Sequence, residues 1–165
     1  MMLYIRDKVF SWADKFSVLD DSGRERYIVE GELFSWGKKL HVYDYRGEEA
    51  AFIQQKLFTF LPRYKVFVHE EEVAEIVKEF SFLFPRYSIE GLGWEIDGDF
   101  MAHNYTITQK GRTIVTIHKQ WMTWGDCYEL NIRDAGQELM ALAVVLALDC
   151  VTESQGGVSV SVSSD

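Results

Sequence analysis

Leu139-Met140-Ala141-Leu142-Ala143-Val144-Val145-Leu146-Ala147-Leu148 has no hydrogen-bonding group in any side chain. Ala, Leu and Met favour helix, and Asp134-Ala135-Gly136 just upstream offers a start signal. A surface helix shows one apolar stripe, whereas a helix apolar on every side belongs inside a protein or a membrane. At a 1.5 Å rise the run covers about 15 Å, roughly half a bilayer core. Asp149 then ends it. A span needs about 20 apolar residues, so the run predicts a buried core helix and no transmembrane span. Such a helix requires a protein wall all round, which the rest of the chain must supply.

The rest of the chain is rich in sheet patterning. Its 11 Phe, 8 Tyr and 5 Trp favour strands, and with only 2 Pro long strands are possible. Strand patterns separated by turn signals recur from Met2–Phe10 onward, with Asp20-Asp21-Ser22-Gly23, Arg46-Gly47, Asp97-Gly98 and Lys110-Gly111 as turns. Leu40 and Val42 alternate with His41 and Tyr43; Tyr64, Val66 and Val68 alternate with Arg63 and Lys65. Glu49–Phe60 reads as one long strand closed by Pro62. Over Glu70–Ser81 the period changes. Val73, Ile76, Val77 and Phe80 fall at helical spacing, which predicts an amphipathic helix there. Residues 1–152 are expected to form a single domain, followed by a flexible Ser/Gly-rich tail over 153–165.

The two halves resemble each other. Tyr27-Ile28-Val29-Glu30-Gly31 returns as Tyr87-Ser88-Ile89-Glu90-Gly91, and Gly47, Ile53, Thr59 and Tyr64 return as Gly111, Ile117, Thr123 and Tyr128. An insertion near Asp97–Met101 accounts for the change of offset. Two copies of a strand-rich unit, each ending in a helix, predict a mainly β, α+β fold. In it a closed antiparallel β-barrel of about twelve strands surrounds the apolar helix.

Function classes narrow by exclusion. A formal net charge of -9 argues against nucleic-acid binding, which depends on phosphate neutralisation by Lys and Arg. The N-terminus lacks the apolar region of a secretory signal, and Cys127 and Cys150 have no metal-type spacing. They read as reduced thiols of a cytoplasmic protein, a single disulfide being the alternative. Cys127 is expected on an outward-facing edge or rim. His41, His69, His103 and His118 are scattered without metal-ligand spacing. Glu95, Asp97 and Asp99 suit a hairpin turn better than a calcium loop. No catalytic set, metal or cofactor is expected. Lys38, Lys39, Arg63 and Lys65 are the candidate contacts for lipid phosphate, although a solvated strand face is the preferred reading of them; Lys110, Arg112 and Lys119 form another basic group. Phe58, Phe60, Trp121 and Trp124, near predicted strand ends, read as core and rim packing.

Several segments resemble the LURP-one-related family, grouped with the tubby C-terminal-like superfamily and the phospholipid scramblases. They are Phe16-Ser17-Val18-Leu19-Asp20, Gly37-Lys38-Lys39-Leu40, Ile53-Gln54-Gln55-Lys56-Leu57-Phe58, Trp124-Gly125-Asp126-Cys127-Tyr128-Glu129 and Ala141–Val151. The resemblance spans residues 3–152 and implies a twelve-stranded barrel around a central hydrophobic helix, with Leu139–Val151 as that helix. It carries over the fold and not the lipid activity, because neither the phosphoinositide pocket of tubby domains nor the calcium segment of scramblases maps onto these residues. The expected function is a non-catalytic cytoplasmic binding or scaffold domain for an unknown protein partner. The alternative is a peripheral module for a phospholipid or phosphoinositide head group.

Overall fold

A computed structural model of the chain describes residues 1–6, 15–32, 36–100, 102–122 and 125–153. The strands are β1 (Met2–Arg6), β2 (Lys15–Asp20), β3 (Glu25–Gly31), β4 (Lys39–Tyr43), β5 (Glu49–Gln55) and β6 (Arg63–Val68). They continue as β7 (Glu71–Glu79), β8 (Arg86–Glu90), β9 (Trp94–Asp99), β10 (Asn104–Gln109), β11 (Arg112–Met122) and β12 (Gly125–Ile132). Each pairs antiparallel with its sequence neighbour, and β12 pairs with β1, so the sheet closes into a barrel. Leu3 faces Leu130 and Ile5 faces Tyr128 across the closing seam. The Met1 ammonium donates to the Ile132 carbonyl at 3.0 Å beside it. Every strand thus has a partner on both sides, β8 and β9 through the single pair Ile89–Trp94.

A 3-10 turn over Ala135–Gln137 leads into α1 (Glu138–Glu153). Asp134 caps it, its carboxylate accepting from the Gly136 N–H at 2.9 Å. Residues 141–151 are all buried. The helix is long and apolar enough to pass for a membrane span by composition, yet here the barrel encloses it. Inward wall residues such as Val18, Val29, Val42, Ile53, Val66 and Ile76 surround it. Alanines at 141, 143 and 147 alternate with leucines at 142, 146 and 148, which lets wall and helix interdigitate at core density.

Both ends of α1 are polar. At its start Glu138, only 4% exposed, receives two hydrogen bonds from Arg26, Nε to Oε1 at 2.9 Å and Nη2 to Oε2 at 3.2 Å. The hydrogen bond to Glu138, then its charge, holds the Arg26 guanidinium charged well above its ordinary range. Burial, and then the Glu138 charge, push the Tyr27 phenol up to about 12. At its end Asp149, 6% exposed, lies 3.7 Å from His103 Nδ1. His103 packs on Tyr128, and Lys119 Nζ sits 5.8 Å from that ring's centroid. Cationic side chains suit the negative end of a helix.

Four expectations need correction. The segment predicted as an amphipathic helix over Glu70–Ser81 is strand β7. Its β-branched Val73, Ile76 and Val77 suit a strand, Ala74 and Ile76 point into the core, and β7 joins β6 to β8. The Asp97-Gly98 pair lies inside β9, and the chain turns at Phe100–His103 instead. Gly98 is there because a Cβ would come within 3.0 Å of the β10 backbone at Asn104 and Tyr105. Cys127 alternates with inward Tyr128 and Leu130 but is buried, as is Cys150. Glu49–Phe60 stops as a strand at Gln55.

The duplication survives in part. Matches at an offset of 64 relate β5 to β11 and β6 to β12, and Tyr64 and Tyr128 both point inward. The Tyr27–Gly31 match places β3 against β8, two strands of opposite direction, so it is no part of that repeat. The expected tail begins within α1 at 153, and residues 154–165 lie outside the described residues.

Candidate functional site

In a closed barrel of sequential antiparallel strands, alternate connections emerge at opposite ends. The connections β2–β3, β4–β5, β6–β7, β8–β9 and β10–β11 share one end with the start of α1. They are short and mostly polar, with Tyr45 exposed in the β4–β5 turn. Asp20 and Asp44 each accept two backbone N–H bonds across their turns, from Ser22 and Arg24 and from Arg46 and Glu48, at 2.8–3.0 Å. These side-chain bonds close the turns locally.

The connections β3–β4, β5–β6, β7–β8 and β9–β10 open at the other end, where α1 finishes. Their character is opposite. Phe58 and Phe60, between β5 and β6, are 100% and 95% exposed, and Phe82, between β7 and β8, is 94% exposed. Phe80, Leu83, Phe84 and Trp36 are exposed as well. Backbone bonds hold the loops in shape: Lys56 N–H donates to the Arg63 carbonyl at 2.9 Å, and the Ser81 hydroxyl donates to the Phe84 carbonyl. Burying one Phe side chain contributes about 1.5–3 kcal/mol, so holding several in water at one end is costly. Apolar surface gathered in this way marks a binding surface.

Phe58 adds a second sign. Its φ is +58°, the left-handed region, which a bulky residue occupies at a cost of about 1–2 kcal/mol. Neither burial nor backbone geometry recommends Phe at this position. Phe58→Asn, which tolerates that conformation, is expected to leave Tm unchanged or raised in a thermal melt. A lowered Tm would show that Phe58 packs in the fold.

The expectation that Phe58 and Phe60 pack in the core or rim is therefore corrected: both face solvent. Trp121 belongs to β11, and Trp124 lies outside the described residues. A signal for this end was present in the sequence as an aromatic-x-aromatic pattern, in Phe58-Thr59-Phe60 and Phe80-Ser81-Phe82-Leu83-Phe84. It is legible only once the topology puts these connections on one end.

Lys39, Arg63 and Lys65 lie on β4 and β6 near the aromatic end, with Lys38 just before β4: Lys39 opposes Gln54, which opposes Lys65. Carboxylates are interleaved among them. Lys39 pairs with Glu32 at 3.4 Å, Arg63 with Glu75 at 3.3 Å and Lys65 with Glu72 at 3.0 Å. Lys38 donates its backbone N–H to Gln55 Oε1 at 3.0 Å. On the same face His41 sits between Glu49, 2.6 Å from Nδ1, and Glu32, 2.7 Å from Nε2. Burial lowers the His41 pKa, but the bonds to Glu49 and Glu32 and their charges outweigh it and raise the value above the ordinary 6.5. A pKa raised on folding stabilises below the unfolded value and is lost as pH rises through the folded value. His41→Gln is thus expected to lower Tm more at pH 5.5 than at pH 9; equal losses at both would refute the pairing.

A shallow cavity of about 240 Å³ lies between Glu49, Ala50, Phe52, Phe67 and Glu70. Among the described residues no group of three or more His, Cys, Asp or Glu is placed to hold a metal ion. His118 bonds Asn104 at 2.6 Å on the outer surface, and the Tyr105 hydroxyl is buried without a hydrogen-bond partner among the described residues.

A twelve-stranded barrel closed around one hydrophobic helix, polar at one end and aromatic at the other, defines the class of protein. The chain belongs to the LURP-one-related family, whose model matches residues 1–149. It is 36% identical over 149 residues to the uncharacterized protein YxjI of Bacillus subtilis (strain 168), covering 90% of this chain and 92% of that one. Its fold is similar to that of a solved Arabidopsis thaliana protein, with a TM-score of 0.60 at 10% identity over 90% of this chain and 91% of that one.

Proposed function

We propose that the protein is a non-catalytic cytoplasmic binding module that engages its ligand at the aromatic end of the barrel. The observation that carries this reading is the set of exposed Phe and Trp residues on connections that all open at that end. Strong polar groups elsewhere have structural work: Arg26 and Glu138 seat the start of α1, and Asp20 and Asp44 close turns. Cys127 and Cys150 are both buried, and reduced thiols suit a reducing compartment.

Peripheral phospholipid or phosphoinositide binding through Lys38, Lys39, Arg63 and Lys65 is the second reading. Their proximity favours it. The carboxylates paired with Lys39, Arg63 and Lys65 weaken it, since they cancel much of the field an anion would meet.

The test of the first reading is native size fractionation of extracts from cells expressing the full chain. The wild type is expected in a larger assembly or particulate fraction, and a Phe58→Ser/Phe60→Ser/Phe82→Ser variant at the size of the free 19.2 kDa chain. Identical profiles for the two chains would overturn it.

A further inference from the structure

The aromatic end has features that separate a membrane from a protein partner. Its most exposed side chains come from more than one loop. They sit on separate connections of a closed barrel: Trp36 after β3, Phe58 and Phe60 after β5, Phe80, Phe82 and Phe84 after β7. A protein partner requires a continuous complementary patch with a packed centre. An interfacial lipid layer accepts independent tips, and aromatic side chains are favoured at that depth.

The distribution of charge points the same way. Residues 57–61 and 80–84 contain no ionisable side chain, so inserting them desolvates no charge. Cations lie behind the tips, at the strand ends: Lys56 and Arg63 on one side, and Lys78 and Arg86 on the other, where Glu79 stands between Lys78 and the tip and opposite Arg86. Carboxylates Asp21, Asp44, Glu48, Glu70 and Asp134 belong to the turns at the far end, where they outnumber the cations Arg24, Arg46 and Lys110. A chain of net charge -9 thus presents its apolar tips at an end where cations are mixed with carboxylates, Glu32, Glu79 and Asp99 among them. Glu75 and Glu90 temper those cations, pairing with Lys56 and Arg63, so apolar insertion and not charge must supply most of the affinity.

We infer that this end of the barrel docks on a phospholipid bilayer by inserting the Phe58–Phe60 and Phe80–Phe84 tips into the interfacial layer. Lys56, Arg63, Lys78 and Arg86 then lie at head-group level, and the end of α1 faces the membrane without leaving the barrel. This rests on the aromatic end being the binding end, and adds the partner, the mode of insertion and the orientation.

Co-sedimentation of the purified full chain with protein-free vesicles tests it, using phosphatidylcholine alone and a phosphatidylcholine–phosphatidylserine mixture, each at low and high salt. The wild type is expected to bind both, the mixture more tightly. High salt is expected to weaken binding to the mixture only a few-fold, because screening acts on the charges and not on the inserted rings. Each Phe→Ser change is expected to weaken partitioning roughly tenfold or a little less, and Phe58→Ser/Phe60→Ser/Phe82→Ser together about a hundredfold or more. The triple variant should keep the wild-type Tm, which separates lost insertion from lost folding. Absence of wild-type binding to either vesicle would overturn the inference. So would equal binding by the triple variant, or complete loss of binding at high salt. A dimer that forms through the tips and replaces vesicle binding would also overturn it. If extracts show tip-dependent association while pure vesicles bind nothing, the bilayer is refuted and the binding end stands. If the triple variant matches the wild type in extracts as well, both readings fall.

Discussion

Val145→Asp is expected to abolish folding of the domain. Val145 is 1% exposed, in the middle of α1, with the barrel wall around it. A carboxylate there has neither water nor a partner, and an uncompensated buried charge costs more than the whole stability of a typical domain can absorb, about 5–15 kcal/mol. Val145→Ala is the matched control. It removes two methyl groups and leaves a small cavity, at an expected cost of about 2–3 kcal/mol with the fold intact. Circular dichroism and thermal melting of the two variants check the pair of outcomes. A cooperative melt of the Asp variant near the wild-type Tm would mean that α1 does not lie in the core.

The second large effect is expected at the start of the same helix. Arg26→Ala leaves Glu138 buried without its two guanidinium hydrogen bonds. Breaking a fully buried pair costs about 3–5 kcal/mol, but the Arg26 side chain is 41% exposed, so screening reduces the expected loss to about 2 kcal/mol. That corresponds to a fall in Tm of roughly 4–8 °C for a domain of this size. Glu138→Gln is expected to cost less, because it removes the buried charge and keeps an acceptor. The double variant should be less destabilised than the sum of the two, which a double-mutant cycle by denaturant unfolding measures. Strict additivity would mean that the pair is not coupled.

Which parts of this molecule were legible in its sequence follows from the physics of each signal. The Leu139–Leu148 run was legible because only a surrounding wall satisfies a helix with no polar face. Strands such as β4 and β6 were legible from strict alternation. Glu71–Glu79 was misread because Val73, Ile76, Val77 and Phe80 satisfy the helical period, while Ala74 and Ile76 also satisfy period two. Only the neighbouring strands β6 and β8 decide between them. Asp97-Gly98 has the residues of a tight turn, but there the glycine answers the close approach of β10. The aromatic end was hidden for a different reason. Hydrophobicity in a sequence reads as burial, and Phe58 or Phe82 looks like any core residue until chain topology places its loop. The basic residues were legible only as two short pairs, Lys38-Lys39 and Arg63-x-Lys65, whereas the partners Glu32, Glu72 and Glu75 lie too far along the chain for a local pattern to show them.

Amide hydrogen exchange along α1, on the full chain free and mixed with phosphatidylcholine–phosphatidylserine vesicles, tests the central claim most directly: the helix is the core of the barrel, and the aromatic loops do the binding. The amides of Ala141–Cys150 are expected in the slowest-exchanging class under both conditions, opening only with global unfolding. The connections at 56–62 and 80–85 are expected to exchange fast in the free protein and to gain protection on the vesicles. Faster exchange in α1 than in β5–β7, in either condition, would contradict the claim and show a helix able to leave its barrel.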